Sequence, residues 1–563
     1  MKLNGAQLTI KLLEQQGITR IAGIPGGASL PLYDALFASD IQHVLTRHEQ
    51  GAGFIAQGMA RVTGKPAVCL ASSGPGATNL LTAVADAHLD SIPLIAITGQ
   101  VAQHLIGTDA FQEVDTFGLM LPITKHNFLV RSATELLEVV PEAFQIACSG
   151  RAGPVAIDIP KDVQLEVVDV NQWPLPMTPQ AKPDPTAVEL EQLRAMIGAA
   201  QRPVLMVGGG VVHSNCHREL LQMAESQDLP AVSTFMGLGV VPSDHPLHLG
   251  MLGMHGARFT NMILEECDLL IGAGVRFDDR ATGKVSGFCP RANIIHIDID
   301  ASELGKIKRP SLAIRADIGS TITRYLQQAQ PMRRPNWLER VAFLKQRFPL
   351  VCSAIGSDVN EEDPFSPYGL LKLLSRTVGD AATIVTDVGQ HQMWAAQAFP
   401  FRRPRQWISS GGLGTMGFGM PAAIGAALAQ PERPVVCISG DGSIMMNIQE
   451  LDTAAEHSLN IKIVVMNNNN LGLVRQQQSL FYGGRLNATQ NKQRLSFAAI
   501  AEAMGASGCD LGMSDDPIAD LANALQTPGP CLIDVPIAEN AMVFPMVPPG
   551  AANKNMINEV EEA

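Results

Sequence analysis

The chain carries no surplus of positive charge: 41 lysines and arginines stand against 54 aspartates and glutamates in 563 residues, a formal net charge of −13. Nucleic acid and anionic membrane are therefore not expected as partners, because neither would be attracted electrostatically. An anionic substrate must meet local positive charge inside a site. Cysteine supplies no framework either. The nine, at positions 69, 148, 216, 267, 289, 352, 437, 509 and 531, form no CxxC pair and no His/Cys cluster at metal-ligand spacing. A reducing cytosol fits that pattern. Long apolar runs are missing, so no bilayer span is expected. The opening MKLNGAQLTIKLLEQQGITR reads as an amphipathic helix with Leu8, Leu12 and Leu13 on one side, without the apolar stretch of a signal peptide. The expected location is cytoplasmic.

What is present is material for large cores. With 46% hydrophobic and 17% charged residues, the chain can cover both faces of parallel sheets, and its length exceeds what one core supports. The proline-rich stretch 173–185 holds neither a helix nor a central strand and reads as a linker. A second break lies between about 330 and 365, where a helical segment over 337–348 precedes the acidic, proline-bearing 357–367. The expected blocks are 1–170, 190–330 and 365–540, followed by a terminal segment 541–563 whose residues 542–550 look like a lid strand or loop.

The first and last blocks resemble each other. KPAVCLASSG at 65–74 aligns with RPVVCISGDG at 433–442, IAITG at 95–99 with VVMNN at 464–468, and GPVAIDIP at 153–160 with GPCLIDVP at 529–536. Each is a short apolar run ending in small or polar residues, a pattern of buried parallel strands, and helical segments such as 443–459 alternate with them. The middle block offers candidate strands at 203–210, 269–274 and 294–300, two of them ending in glycine turns. Those turns suit a nucleotide, and equally a plain α/β domain. The expected fold class is α/β, with three doubly wound parallel-sheet domains.

The strongest chemical signal is PVVCISGDG at 434–442 followed by IKIVVMNN at 461–468. Asp441 and Asn468 then fall at the carboxyl ends of consecutive strands, where open α/β sheets bind ligands. A carboxylate with an amide oxygen suits a hard Mg²⁺ completed by diphosphate oxygens and water. A lone Gly-Asp-Gly is usually a turn. Some two dozen residues between Gly442 and Asn467, one helix plus a return strand, resemble the signature of thiamin-diphosphate enzymes. The stretch 410–419 also matches GxGxxG at Gly412, Gly414 and Gly417. A dinucleotide site is rejected there, because no acidic residue ends the second strand and the loop lies far from the other nucleotide-like turns. In the first block Glu49 follows a strand and heads an apolar helix, by default a first-turn residue favoured by the helix dipole. His48 and Glu49 build no HExxH zinc motif, since position 52 is Ala52.

The resemblance covers essentially the whole chain, and GTDAFQE at 107–113, PVAIDIPKD at 154–162 and GAGVRFDDR at 272–280 narrow it to the acetohydroxyacid (acetolactate) synthase family. That resemblance implies a pyrimidine-binding, a central and a diphosphate-binding domain. Glu49 would bond the pyrimidine of thiamin diphosphate and control its tautomer. Phe111, Gln112 and Lys161 would line the active site, and Arg276 would hold the carboxylate of the second ketoacid. Further thiamin diphosphate contacts fall on Pro25, Gly26, Gly27, Gly389, Gln390, His391, Gly414, Gly440, Gly442 and Ser443, with Met416 propping the bent cofactor. Mg²⁺ falls on Asp441, Asn468 and Asn470. A structural, non-redox FAD falls on Arg151, Gly208, Gly209, Gly210, Thr234, Leu252, Gly253, Met254, His255, Gly274, Arg276, Asp278, Arg280, Asp298, Ile299 and Asp317.

The activity implied is decarboxylation of pyruvate and ligation of the two-carbon remnant to a second pyruvate or to 2-ketobutyrate, the first common step of branched-chain amino-acid synthesis. The implied assembly is a homodimer with active sites at the subunit interface, joined by a small regulatory subunit. One departure matters. Most of the family carries tryptophan, which packs on the extra methyl of 2-ketobutyrate, where this chain has Gln477. Losing such a contact forfeits roughly 1 to 3 kcal/mol of discrimination, so a weak preference for 2-ketobutyrate is expected, and the bacterial isozyme I branch is the nearest. Ile24 stands where the family often has tyrosine, and nothing is read from it. The rival within enzymes is a flavin-dependent pyruvate oxidase on the same scaffold. Glyoxylate carboligases lack a glutamate at position 49, and a non-catalytic homologue is disfavoured by Glu49, Asp441 and Asn468.

Overall fold

The computed structural model describes residues 1–176, 180–349 and 362–558. Residues 177–179 of the proline-rich linker, 350–361 of the second break and 559–563 of the tail lie outside them. In the first block β1 (Lys2–Asn4), β2 (Arg20–Gly23), β3 (Gln42–Leu45), β4 (Ala67–Ala71), β5 (Leu94–Gln100), β6 (His126–Leu129), β7 (Val155–Pro160) and β8 (Val167–Asp169) follow in order. The middle block contributes β9 (Pro203–Val207), β10 (Ala231–Ser233), β11 (His248–Met251), β12 (Leu269–Ala273), β13 (Asn293–Asp298) and β14 (Leu312–Arg315). The last holds β15 (Thr383–Thr386), β16 (Trp407–Ile408), β17 (Val435–Gly440), β18 (Ile461–Asn467), β19 (Ser507–Asp510) and β20 (Cys531–Pro536).

Each block forms one six-stranded parallel sheet, and β1 pairs antiparallel with β8 to tie the ends of the first block together. The first sheet runs β3-β2-β4-β5-β7-β6 and the last β16-β15-β17-β18-β20-β19, the same order strand for strand. The aligned segments become β4 and β17, β5 and β18, β7 and β20, so the internal resemblance is a repeat of the fold. The middle sheet, β11-β10-β9-β12-β13-β14, has instead the order of dinucleotide-binding folds, with two halves meeting at β9 and β12. Every residue of β4, β5, β7 and β18 is buried. Their apolar runs do not alternate because helices cover both faces.

The helices after β3 and β16, Glu49–Thr63 and Gly419–Ala429, occupy matching places in the repeat and pack on each other. A Cβ added at Gly58 would overlap the Ala422 carbonyl oxygen, and one at Gly425 would overlap the Ile55 carbonyl oxygen. Only glycine lets the two backbones approach so closely. Phe54 meets Phe418 edge to face at 5.3 Å in the same contact. The helix expected over 443–459 is two short ones, Asp441–Ile444 and Glu450–Glu456. Between them Asn447 turns its amide away from the helix to donate to Gly417 O (2.7 Å) and Gln50 Oε1 (3.1 Å). After β20 the chain runs back over the middle domain, where Val547 N donates to Met254 O and Lys284 N to Ala551 O. No helix among the described residues is long and apolar enough to cross a membrane.

Candidate active site

Asp441 begins where β17 ends, and the turn 468–470 begins where its neighbour β18 ends. Asp441 is buried, and its Oδ2 accepts from Asn491 Nδ2 at 2.9 Å. Burial pushes its pKa up to about 6, against the lowering effect of the Asn468 backbone N–H and the Asn491 amide. A desolvated carboxylate of this kind gains most from a hard cation beside it. Asn468 and Asn470 are buried alongside. Asn468 Nδ2 donates to Gln390 Oε1 (3.1 Å), which fixes its amide, while among the described residues its Oδ1 accepts only the Asn470 backbone N–H (3.1 Å). A carboxylate with amide oxygens is the donor set Mg²⁺ takes. Among the described residues there is no group of three or more His, Cys, Asp and Glu side chains placed to hold a metal, so softer metals have no such set.

The neighbouring turn suits phosphate. Gly389 and Gln390 open the helix Gln390–Ala398, and a Cβ at Gly440 would stand 2.9 Å from His391 Nδ1. His391 is buried, and burial holds its pKa down at about 3, so the ring is neutral. Its Nε2 has no hydrogen-bond partner among the described residues. An orphaned ring nitrogen beside two glycines fits an anionic oxygen. Ser443 Oγ is engaged with the Gly440 turn, and the Met416 Cε lies 4.0 Å from where a Gly442 Cβ would be, so Met416 covers the Gly-Asp-Gly turn.

In the first domain Pro25, Gly26 and Gly27 follow β2, and Glu49 heads its helix after β3. Glu49 Oε2 accepts from Asn79 Nδ2 at 2.9 Å. Around it Tyr33 Oη and Ser72 Oγ are buried without partners among the described residues, and a Cβ at Gly26 would meet Ser72 Oγ at 2.5 Å. Burial and the charge of Glu49 raise the Tyr33 pKa. Orphaned hydroxyls beside a carboxylate make a polar niche suited to a heterocycle with ring nitrogens and an amine.

A cavity of about 650 Å³ opens between the domains, within the range of a large cofactor site. Its wall includes Arg151, Gly209, Gly210, Thr234, Leu252, Met254, His255, Gly274, Arg276, Asp278, Arg280, Asp298, Ile299 and Asp317. Gly208 and Gly253 do not line the cavity. Any Cβ there would overlap the carbonyl oxygens of Gly274 and Arg280, respectively, so these glycines shape the turns. The cavity continues past Val388 and Gly414 to Gln477, and Arg276, in the same wall, makes no ion pair among the described residues. Arg151 is already paired with Glu303 (2.7 Å). Burial raises Asp298 to about 6 and lowers His255 to about 4.

The single chain therefore gathers Asp441, Asn468, Asn470, Gln390 and His391 at the carboxyl end of one sheet, after β15, β17 and β18, and Arg276, Gly414 and Gln477 around one cavity. Glu49 does not line the cavity, although its neighbours reach the last domain: Arg47 N and His48 N donate to Glu450 Oε1, and Gln50 Oε1 accepts from Asn447 Nδ2. Phe111 is 87% exposed, Gln112 sits at φ +59°, and Lys161 heads the short helix Lys161–Leu165. None of these three lines the cavity. Sequence reasoning missed the supports. Asn491 and Asn79 hold the two acids. Asp387, raised to about 6 by burial, accepts from Gly417 N (2.8 Å) and Val388 N (2.9 Å). Asp90 accepts from Gly411 N (3.0 Å) and Gly412 N (2.7 Å) while bridged by Arg61 (2.9 Å). The only signal for the last two was a buried acid facing a glycine-rich loop, which no spacing reveals.

Family models agree with this geometry over all three domains. The N-terminal TPP binding domain of thiamine pyrophosphate enzymes matches residues 3–119, the central domain 190–325, and the C-terminal TPP binding domain 387–535. The chain is 56% identical over 559 residues to the acetolactate synthase isozyme 1 large subunit of Escherichia coli (strain K12), covering 99% of this chain and 98% of that one. The chain belongs to the acetolactate synthase large-subunit family. It is 47% identical to the isozyme 2 large subunit of the same organism, across 99% of this chain and 100% of that one. It is 43% identical to acetolactate synthase 2, chloroplastic, of Nicotiana tabacum, across 99% and 85%. Within the acetolactate synthase family, the likeness is thus greater to isozyme 1 than to isozyme 2.

Proposed function

We propose that the chain is the catalytic subunit of an acetolactate synthase, a transferase that decarboxylates pyruvate and joins the remaining two carbons to a second 2-ketoacid. The observation that carries this reading is the cradle of Asp441, Asn468 and the orphaned His391, which lies beside a cavity walled by Arg276 and Gln477. Asp441, Asn468 and Asn470 would hold Mg²⁺, and Gln390 and His391 the diphosphate. The middle cavity would take FAD as a structural group, since acetolactate formation has no net redox step. Thiamin diphosphate, when bound, supplies the attacking carbon and the electron sink for decarboxylation.

The chain's own residues do the rest. Glu49 exchanges a proton at the pyrimidine ring nitrogen, held for that task by Asn79. Tyr33 and Ser72 offer hydroxyls to the same ring. Met416 presses on the Gly-Asp-Gly turn and excludes water. Arg276 takes the carboxylate of the acceptor ketoacid, pyruvate or 2-ketobutyrate, in a bidentate bond. Gln477 borders the acceptor's alkyl end with a polar group, which predicts little preference for the longer acceptor. Among the described residues the Glu49 carboxylate accepts only from Asn79, in its own domain, and Phe111 is bare to solvent, which supports a homodimer in which each protomer's Glu49 and Phe111 complete the cradle of its partner. The relatives' designation as large subunits supports a small regulatory partner. A cytoplasmic setting fits the free cysteines among the described residues.

The test is a product assay with pyruvate, Mg²⁺, thiamin diphosphate and FAD on wild type and Glu49→Gln. Acetolactate from wild type alone supports the reading. Acetate or acetyl phosphate with bleached flavin would replace it with pyruvate oxidation.

A further inference from the structure

After β20 the chain turns back as a strap. Ala541 O accepts from Gln390 Nε2 (2.8 Å), and Val543 exchanges two hydrogen bonds with the Gln476 side chain, its N–H donating to Oε1 and its C=O accepting from Nε2, both at 2.8 Å. Gln476 Oε1 also accepts from Gln390 Nε2 (3.1 Å), whose own Oε1 accepts from Asn468 Nδ2 (3.1 Å). The strap then leaves the last domain. Gln397 Nε2 donates to both Phe544 O (3.0 Å) and His255 O (2.8 Å). His255 Nδ1 donates to Pro545 O (3.0 Å), and Val547 N to Met254 O (2.9 Å). Met254 and His255 belong to the cavity wall.

One series of buried and part-buried hydrogen bonds, continued along the strap's backbone from Val543 to Val547, thus runs from Asn468 through Gln390 and Gln476 to Met254 and His255. Val543 and Met546 are fully buried along it. Inside a protein such a series has two states, satisfied or broken, because each unpaired amide left behind is costly. We propose that Gln476 is a positioning residue that makes the metal and diphosphate cradle and the middle-domain cavity one mechanical unit, so that the two cofactors bind with positive linkage. The proposal rests on reading that cavity as the flavin site. A group that orders the wall at Met254 and His255 stabilises the strap, and the strap presents Gln476 to Gln390 and so fixes the amide of Asn468. Linkage requires the same coupling factor in the reverse direction. This gives a flavin without a redox task a physical role in holding the other cofactor.

The experiment is a flavin-fluorescence titration of FAD into the full-length apoprotein, with and without thiamin diphosphate and Mg²⁺, and the reciprocal titration of thiamin diphosphate with and without FAD. In wild type each ligand should tighten the other about fivefold or more, by equal factors. Gln476→Leu, close in size but unable to hydrogen-bond, should bring the factor to within about twofold of unity, while FAD affinity measured alone stays within about threefold of wild type. Gln397→Leu, which frees the strap at its other end, should lower the factor too, and decides the matter if far-ultraviolet circular dichroism shows Gln476→Leu unfolded. An undiminished factor in the folded variants, or a wild-type factor of one with both ligands bound, overturns the linkage. Absence of saturable FAD binding to wild type overturns the flavin reading itself, and the linkage with it.

Discussion

Where the last domain has Asp441 the aligned first domain has Ser73, and where the last has Asn468 the first has Gly99. The two domains nevertheless share every strand neighbour. Both retain one buried acid at the same place, Asp158 on β7 and Asp534 on β20. Asp158 accepts from Thr98 Oγ1 (2.7 Å) and Gln100 Nε2 (3.1 Å) on β5, and Asp534 from Asn467 Nδ2 (3.0 Å) on β18. What stayed alike ties strands together, and what diverged is chemistry. The last domain kept the polar groups suited to a cation and phosphate. The first places Glu49, the acid proposed to act on the cofactor, after β3, two strands out from β4, the counterpart of β17. In the proposed mechanism a repeated scaffold divides one reaction between its copies, and the helices after β3 and β16 join the two copies through reciprocal glycine contacts.

The division is tested hardest by removing the acid on each side. Glu49→Gln should lower acetolactate formation by about 100-fold or more with Mg²⁺-dependent binding of thiamin diphosphate retained. Asp441→Asn should abolish that binding at ordinary Mg²⁺ concentrations, read by cofactor titration. Loss of Mg²⁺-dependent binding in Glu49→Gln as well would erase the distinction between the domains. The join comes next. Gly425→Val should cost about 3 kcal/mol or more of stability, seen as a lower melting temperature, whereas Gly529→Ala, at an open left-handed turn with nothing near its Cβ site, should cost less.

A smaller effect concerns Gln477, on the helix Gly472–Phe481 of the last domain. Gln477→Trp should raise the preference for 2-ketobutyrate over pyruvate by roughly tenfold or more in direct competition. An unchanged ratio would remove Gln477 from the acceptor pocket. The smallest effect belongs to the shared acid. Burial raises Asp158 to about 7 from an ordinary value of 3.8, so the folded state keeps a proton that the unfolded state releases. The stabilisation it contributes is full below about pH 4 and is lost as pH rises through about 7. Asp158→Asn should therefore flatten the decline of the urea midpoint between mildly acidic and neutral pH. A slope as steep as that of wild type would assign the decline to other buried acids.

Much of the scaffold was legible because buried parallel strands are written as uninterrupted apolar runs, as at 435–439 and 94–98. The Gly-Asp-Gly turn and the paired asparagines were legible as well, since strand ends and ligand-bearing turns are adjacent in the chain. The break in the helix expected over 443–459 was not. Asn447 is an ordinary residue until Gly417 and Gln50, distant in the chain, arrive to accept its amide protons. Asn491 beside Asp441, Asn79 beside Glu49 and Asp90 beneath Gly411 were hidden for the same reason.

By itself the amino-acid order determined the strands, their repetition and the residue types at strand ends, because each of these depends on neighbours a few positions away. Tertiary structure alone decided which of those residues face one another. It tied the segment around Glu49 to Glu450 and Asn447, set Arg276 and Gln477 on a common cavity, and threaded the strap from Gln390 to His255. Such contacts join positions hundreds of residues apart, and their energies exist only after both partners have been carried to the same place by the packing of whole domains.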